Sequence, residues 1–262
     1  MKVALLINSS REAEYIVKQI EKVQNICTII IDMKYKNRKE KILRRILGTS
    51  RYYSLKNFFR SLKTVRRFKI YLLERKHRKL VGKSIKNNIK RPFICKDVLY
   101  VDNINSCCAV EKLKEILPDF CIVLGTSIIK KQILNMFPSR LINIHFSLLP
   151  HYRGSIVEFW QLYNNEPEKI GVTLHLIDSS IDTGPIVAQR ETATTSDDNY
   201  ITARYKNIMC ATDLVKDVLM DLAAGKMFKT TNQEIVKNAI TYKFSMITDE
   251  IKYNYWAKKG EL

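Results

Sequence analysis

Asn143 and His145 stand two residues apart at the end of the apolar run LINIHF (141–146), directly before the loop SLLPHYRG. Side chains two apart on a strand share a face. An amide on that face can donate to a carbonyl oxygen as it becomes an oxyanion. An imidazole can donate to the same oxygen or move a proton. A second loop, DSSIDTGPI (178–186), presents Asp182 just before Thr-Gly-Pro, a turn in which Gly184 supplies permissive backbone angles. A carboxylate there can hold the imidazole or a water in place. Amide, imidazole and carboxylate on neighbouring loops make a site for group transfer. Lone histidines are often structural, so the weight rests on the set of three. His151 follows Pro150, and Tyr152 and Arg153 come next at the expected mouth of the cleft. Arg153 there can meet a phosphate or brace the loop. His175 alternates with Thr173 and Ile177 and is expected to pack, as are Trp160, Tyr253, Tyr255 and Trp256.

The elements that must position these residues alternate. KVALLIN (2–8) has the length and composition of a buried strand. Residues 11–24 place Ala13, Ile16, Val17, Ile20 and Val23 at helical spacing, and ICTIIID (26–32) is a second strand. Strand, helix and strand in so short a span make a βαβ unit with parallel strands. After Pro92 come strand 97–102, a helix near 109–116, strand 120–125, a helix near 128–136 and strand 141–146. A helix over 155–164, strands 171–178 and 185–191, and a helix from Ser196 to Ala224 follow. The fold class is therefore α/β: an open, mostly parallel Rossmann-like sheet with helices on both faces. In such sheets ligands bind outside the carboxyl ends of the strands, which is where Asn143 and His145 lie. Residues 226–262 read as a polar, Tyr-rich tail with no clear period. The chain divides into a catalytic domain at 1–225 and a C-terminal extension at 226–262.

The net charge of +19 is unevenly placed. Residues 34–92 hold 22 of the 45 Lys and Arg but only two acids, Glu40 and Glu74. The remainder is close to neutral, so one basic insert carries the whole imbalance. Its apolar residues, including Ile42, Leu43, Ile46, Leu47, Phe58, Phe59 and Leu62, recur at roughly helical intervals. One or two amphipathic helices are expected, with Gly48 and Gly82 as breaks. The six cysteines contain no C-x-x-C pair, and Cys107 and Cys108 are adjacent. Neither a disulfide framework nor a zinc pattern emerges, and a reducing cytoplasm fits best. No stretch approaches the ~18 apolar residues of a membrane span, and the N-terminus lacks a signal-peptide pattern.

INIHFSLLPHYRG followed by GVTLHLIDSSIDTGPIVAQ resembles the formyltransferases that use 10-formyltetrahydrofolate. Asn-x-His, S-L-L-P, R-G and D-x-G-P all match in order and spacing. DFCIVLGTSIIKKQIL (119–134) resembles the strand-loop-helix that precedes the family's catalytic strand. The resemblance is firm over 119–192, weaker at the first βαβ unit, and absent from 34–92 and the tail. It implies attack of a substrate amine on the formyl carbon of the folate, with no metal and no covalent enzyme intermediate. It implies that Asn143 holds the formyl oxygen, that His145 stabilises the oxyanion and assists proton transfer, and that Asp182 positions His145 or a relay water. It places the pterin along the backbone at Thr126, Ser127 and Ile129 and beside Ser180. His151, Tyr152 and Arg153 are the candidates for substrate contact.

Members of the family act on glycinamide ribonucleotide, methionyl-tRNA or nucleotide-linked amino sugars. The loop after the first strand, NSSR (8–11), has no glycine with which to cradle a small phosphorylated substrate. The residues after Gly225 are too few for the C-terminal barrel of the transfer-RNA enzyme. The expected acceptor is thus a nucleotide-linked amino sugar destined for a surface polysaccharide. A methionyl-tRNA formyltransferase-like enzyme stands second, and a catalytically inactive binding protein on the same fold third. The basic insert is read as folded back on the domain, as weakly attracted to anionic membrane, or as a contact for RNA phosphates, which keeps the transfer-RNA enzyme as the second reading. A cytoplasmic enzyme at the inner membrane face, free of nucleic acid and able to form a homodimer, completes the expectation.

Overall fold

The computed structural model describes residues 1–33, 65–89, 91–234, 236 and 240–262. Short apolar runs form the centre: β1 (Val3–Asn8), β2 (Ile26–Asp32), β3 (Val98–Val101), β4 (Phe120–Leu124) and β5 (Leu141–His145). These lie parallel in the order β3-β2-β1-β4-β5. β7 (Gly171–Leu176) adds antiparallel beside β5, and β8 (Ile186–Glu191) antiparallel beside β7. The open, mostly parallel sheet expected from the alternation is therefore observed, with its antiparallel part next to the strand that carries Asn143 and His145.

Strand side chains alternate between two cores. Leu5, Ile7, Ile29 and Ile144 pack against α1 (Arg11–Ile20) and α6 (Tyr200–Ala223). Leu6, Ile30, Cys121 and Val123 pack on the other face against α3 (Cys107–Ile116) and Ile133 of α4 (Lys131–Met136). Both faces are covered, which is why the strands read as continuous apolar runs. Ser10 caps α1 by accepting from the Ala13 N–H. α6 begins later than expected. Its cap is Asn199, whose side chain accepts from the N–H groups of Ile201 and Thr202. The carboxylate of Asp198 is taken by the Thr195 N–H at 2.8 Å in the preceding turn.

The basic segment is helical over α2 (Val65–Asn88), and Gly82 lies inside that helix rather than breaking it. Residues 34–64, with Gly48 and the apolar positions from Ile42 to Leu62, lie outside the described residues. α2 packs on α1, α6 and α7 (Asp249–Lys258), with Ile70 and Ile85 buried. Each such side chain contributes roughly 1.5–3 kcal/mol of burial. Glu74, the one acid of this helix, is buried. It accepts from Lys252 at 2.7 Å, from Arg78 at 3.1 Å and from the Tyr200 hydroxyl. The described half of the basic segment thus folds onto the protein's own body. No helix among the described residues is long and apolar enough to cross a membrane.

The C-terminal stretch has more structure than its lack of period implies. β9 (Thr241–Tyr242) pairs in parallel with β6 (Arg153–Gly154). Thr248 caps α7, with Asp249 and Glu250 in its first turn, where negative charge suits the helix dipole. Tyr255 and Trp256 are buried with Tyr152, Trp160, Tyr200 and Ile70, beside α5 (Val157–Tyr163). Trp160, Tyr255 and Trp256 pack as expected.

Candidate active site

The antiparallel register of β5 and β7 sets Asn143 opposite His175 and His145 opposite Thr173. Directly opposed residues share a face, so His175, itself buried, is brought to Asn143. The Asn143 amide nitrogen is 3.0 Å from His175 Nε2. His175 Nδ1 is 2.9 Å from the Leu176 carbonyl and must donate to it, so Nε2 accepts one amide N–H. His175 is buried as expected, and its ring in addition holds Asn143. The second amide N–H is turned toward Asp182 Oδ1, at a loose 3.5 Å.

The loop after β5 doubles back through Pro150, so that the Tyr152 carbonyl accepts from His145 Nε2–H at 2.7 Å. Thr173 Oγ1 accepts from Leu149 N at 3.1 Å, and Gln189 donates to the Leu149 carbonyl at 2.8 Å. The turn is therefore fixed from β7 and β8. His145 Nδ1 lies 3.5 Å from Asp182 Oδ2, and His175 Nε2 lies 3.5 Å from Asp182 Oδ1. The Gly154 N–H donates to Asp182 Oδ2 at 2.8 Å. Asp182 has φ of 54°, in the left-handed region that Asp and Asn tolerate best. Gly184 closes the loop so tightly that a Cβ there would lie 1.8 Å from the Leu176 carbonyl oxygen.

Burial lowers the pKa of His145, and the neighbouring Asp182 only partly offsets it. The imidazole is neutral at physiological pH, with its proton on Nε2 and its Nδ1 lone pair toward Asp182. Burial alone would raise the Asp182 pKa. His145, cationic at the low pH where the carboxyl titrates, His175 and the Gly154 N–H outweigh it and hold the carboxyl down at about 2. Asp182 is thus a fixed anion, and a proton taken up at His145 Nδ1 creates a cation 3.5 Å from it.

These side chains line a cleft of about 920 Å³ at the carboxyl ends of the parallel strands. Thr126, Ser127, Ile129 and Ser180 line the same cleft. The Ser127 N–H donates to Asp32 at 2.7 Å, which anchors that loop to β2. His151, Tyr152 and Arg153 do not form its wall. His151 is exposed. Tyr152 is buried, stacked on Tyr242 with centroids 5.3 Å apart, and its hydroxyl is bonded to Asn164 and Glu166. Aromatic packing takes the Tyr152 side chain, so only its carbonyl serves the site. Arg153 donates to Gln233 at 3.3 Å.

The opposite wall comes from residues that sequence reasoning did not assign to the site: Arg78 and Ile85 of α2, Arg11 of α1, and Lys243 after β9. Arg204, also in the wall, is neutralised by Glu12 and Glu158 at 2.9 and 3.1 Å. Arg11 and Lys243 have no ion-pair partner among the described residues. A signal for Arg78 was present: Glu74, four residues earlier and nearly alone among cations, is the spacing of a helical ion pair.

The profile of the formyl transferase family matches residues 76–208. The match begins inside α2, so the resemblance extends into the segment where none was expected. A methionyl-tRNA formyltransferase from Thermodesulfovibrio yellowstonii is 33% identical over 147 residues, 56% of this chain and 46% of that protein. The chain thus spans about half the length of that curated relative. Among solved structures, a sugar N-formyltransferase from a Shewanella species superposes with a TM-score of 0.58 at 17% identity, over 97% of this chain and 87% of that one. An N-formyltransferase from Helicobacter canadensis, in complex with folinic acid and dTDP-3-aminofucose, superposes with a TM-score of 0.57 at 18% identity, over 97% and 79%. These superpositions match the fold, and the profile runs from within α2 to the first turns of α6, including β5 with Asn143 and His145 and the loop that carries Asp182: the chain belongs to the formyl transferase family.

Proposed function

We propose that the cleft transfers a formyl group from 10-formyltetrahydrofolate to the amine of a nucleotide-linked amino sugar. The observation that carries this reading is the continuous set of contacts among Asn143, His145, His175 and Asp182, between 3.0 and 3.5 Å, in the wall of one cleft. A volume near 920 Å³ is at the upper end for ligand sites and has room for two substrates. Val123, Ile129 and Ile177 give it an apolar side suited to a pterin, beside the backbone of Thr126 and Ser127.

When bound, the folate supplies a formyl carbon on N10; transfer makes a bond from that carbon to the acceptor nitrogen, breaks the bond to N10, and moves one proton from the amine to N10. The Asn143 N–H that is held only loosely by Asp182 turns to the formyl oxygen as negative charge develops there. His145 takes the amine proton at Nδ1, and Asp182 stabilises the imidazolium. His175 holds the amide the right way round throughout. Arg11 and Lys243, which lack carboxylate partners among the described residues, and Arg78, which shares Glu74 with Lys252, suit a diphosphate. The complex of the Helicobacter canadensis protein with a dTDP-amino sugar supports the same class of acceptor.

The 33% identity to a methionyl-tRNA formyltransferase favours a second reading, in which the acceptor is charged transfer RNA. Incubating the protein with 10-formyltetrahydrofolate and, in parallel, dTDP- and UDP-linked amino sugars and methionyl-tRNA separates the two. A mass gain of one formyl group on a sugar nucleotide is expected, and Arg78→Ala or Lys243→Ala should raise KM for it. Formylation of methionyl-tRNA alone reverses the assignment.

A further inference from the structure

We propose that Gln233, in the chain beyond the family match, is a positioning residue that locks the backbone of Asp182 and so sets the approach of its carboxylate to His145. The inference rests on reading Asp182 as part of the transfer site. Gln233 Nε2 donates to the Asp182 carbonyl at 3.1 Å and to the Gly184 carbonyl at 2.8 Å. It bridges the two ends of the tight turn on which Asp182 stands at φ 54°. Gln233 Oε1 accepts from Arg153 at 3.3 Å. Arg153 immediately precedes Gly154, whose N–H donates to Asp182 Oδ2. One amide therefore ties together the loop that bears the carboxylate and the arm that orients it.

The chain around Gln233 is itself anchored to both sides. Thr231 exchanges backbone hydrogen bonds with Ile186 at 2.8 and 2.9 Å, just past the turn. Further on, Tyr242 of β9 accepts from Ser155 at 2.9 Å. It lies so close to Gly154 that a Cβ there would be 2.0 Å from its carbonyl oxygen. Two carbonyls facing one point need a paired donor, and a primary amide supplies two N–H groups from one nitrogen. A carboxylate of the same shape would present lone pairs to lone pairs. The described part of 226–242 is thus a built part of the site, and Thr241 and Tyr242 at its end line the cleft.

The test uses the full chain with Gln233→Glu, which removes the donors and keeps the size, and Gln233→Ala. Two readouts are taken: steady-state kcat and KM with 10-formyltetrahydrofolate and the acceptor, and an NMR titration of the His145 ring. The groups facing that ring are Asp182, His175 and Glu158, with the Tyr152 carbonyl on Nε2. Misplacement of a catalytic group by about 1 Å costs on the order of 10²-fold in rate, so kcat should fall by about that factor with KM little changed. Asp182 raises the His145 pKa, so a carboxylate that drifts away lets the ring titrate at lower pH than in the wild type. Gln233 is partly exposed, and if one variant fails to fold the other decides. Wild-type kcat and an unmoved His145 titration in a folded variant would overturn the inference. A wild type inert toward every acceptor, with the titration still shifted down by Gln233→Ala, would instead overturn the proposed function and leave the positioning role standing.

Discussion

Asp182→Asn isolates the charge at the centre of the site. Asn keeps the shape of the side chain and tolerates φ 54°, so the turn is not strained by the change. The wild-type carboxyl is held at about 2, down from its ordinary 3.8, and that difference corresponds to about 2 kcal/mol. A depressed carboxyl pKa stabilises the fold above the unfolded value and loses that stability as pH falls through the folded value. At pH 7 the Asn variant should therefore be less stable by at most about 2 kcal/mol, because the share of the shift that comes from His145 acts only once that ring is protonated. The gap should narrow between pH 5 and pH 3, as the unfolded chain takes up a proton that the folded carboxyl does not. Urea unfolding of both proteins at the three pH values gives the numbers. Activity should fall by about 10²–10⁴, the range for general acid–base groups. The acid limb of the rate profile should follow His145, which titrates below its ordinary 6.5 in the wild type and lower still without Asp182. A gap in stability that does not change with pH would show that the carboxylate is not coupled to the imidazoles, and the electrostatic account would fail.

His175→Ala should lower kcat by about 10²-fold with little change in KM, because Asn143 loses the acceptor that orients it; equal kcat by steady-state assay contradicts this. Gly184→Ala should destabilise the protein by about 1–3 kcal/mol, since its Cβ meets the Leu176 carbonyl at 1.8 Å, and chemical denaturation against wild type checks it. Trp256→Ala should cost about 3–5 kcal/mol in thermal or urea unfolding, because a fully buried indole leaves a cavity between α2, α6 and α7.

The sheet was legible because each strand is an apolar run flanked by turn residues, and β1, β2 and β5 lie within one or two residues of where the sequence places them. Asn143 and His145 could be paired from strand periodicity alone. His175 could not, because its partnership depends on β7 running antiparallel beside β5, and neighbour order is not written in either strand. Tyr152 and Arg153 misled for a related reason. Their position next to the motif was plain, but the aromatic cluster that withdraws the Tyr152 ring is assembled from α2, α5, β9 and α7, far apart in the chain. The basic segment hid its role because charge dominates its composition. Only Glu74 hinted that one face of α2 is tied inward, where it places Arg78 and Ile85 on the cleft. The Thr248-Asp249-Glu250 cap was a readable sign of α7 in a stretch that otherwise has no period.

The most direct test of the central claim is transfer of an isotope-labelled formyl group from 10-formyltetrahydrofolate to an amino-sugar nucleotide by wild type and by His145→Ala, followed by mass spectrometry of the acceptor. Labelled acceptor is expected with wild type, and a rate lower by about 10²–10⁴ with His145→Ala. Equal labelling by the two proteins, or labelled acceptor with neither, would contradict that claim.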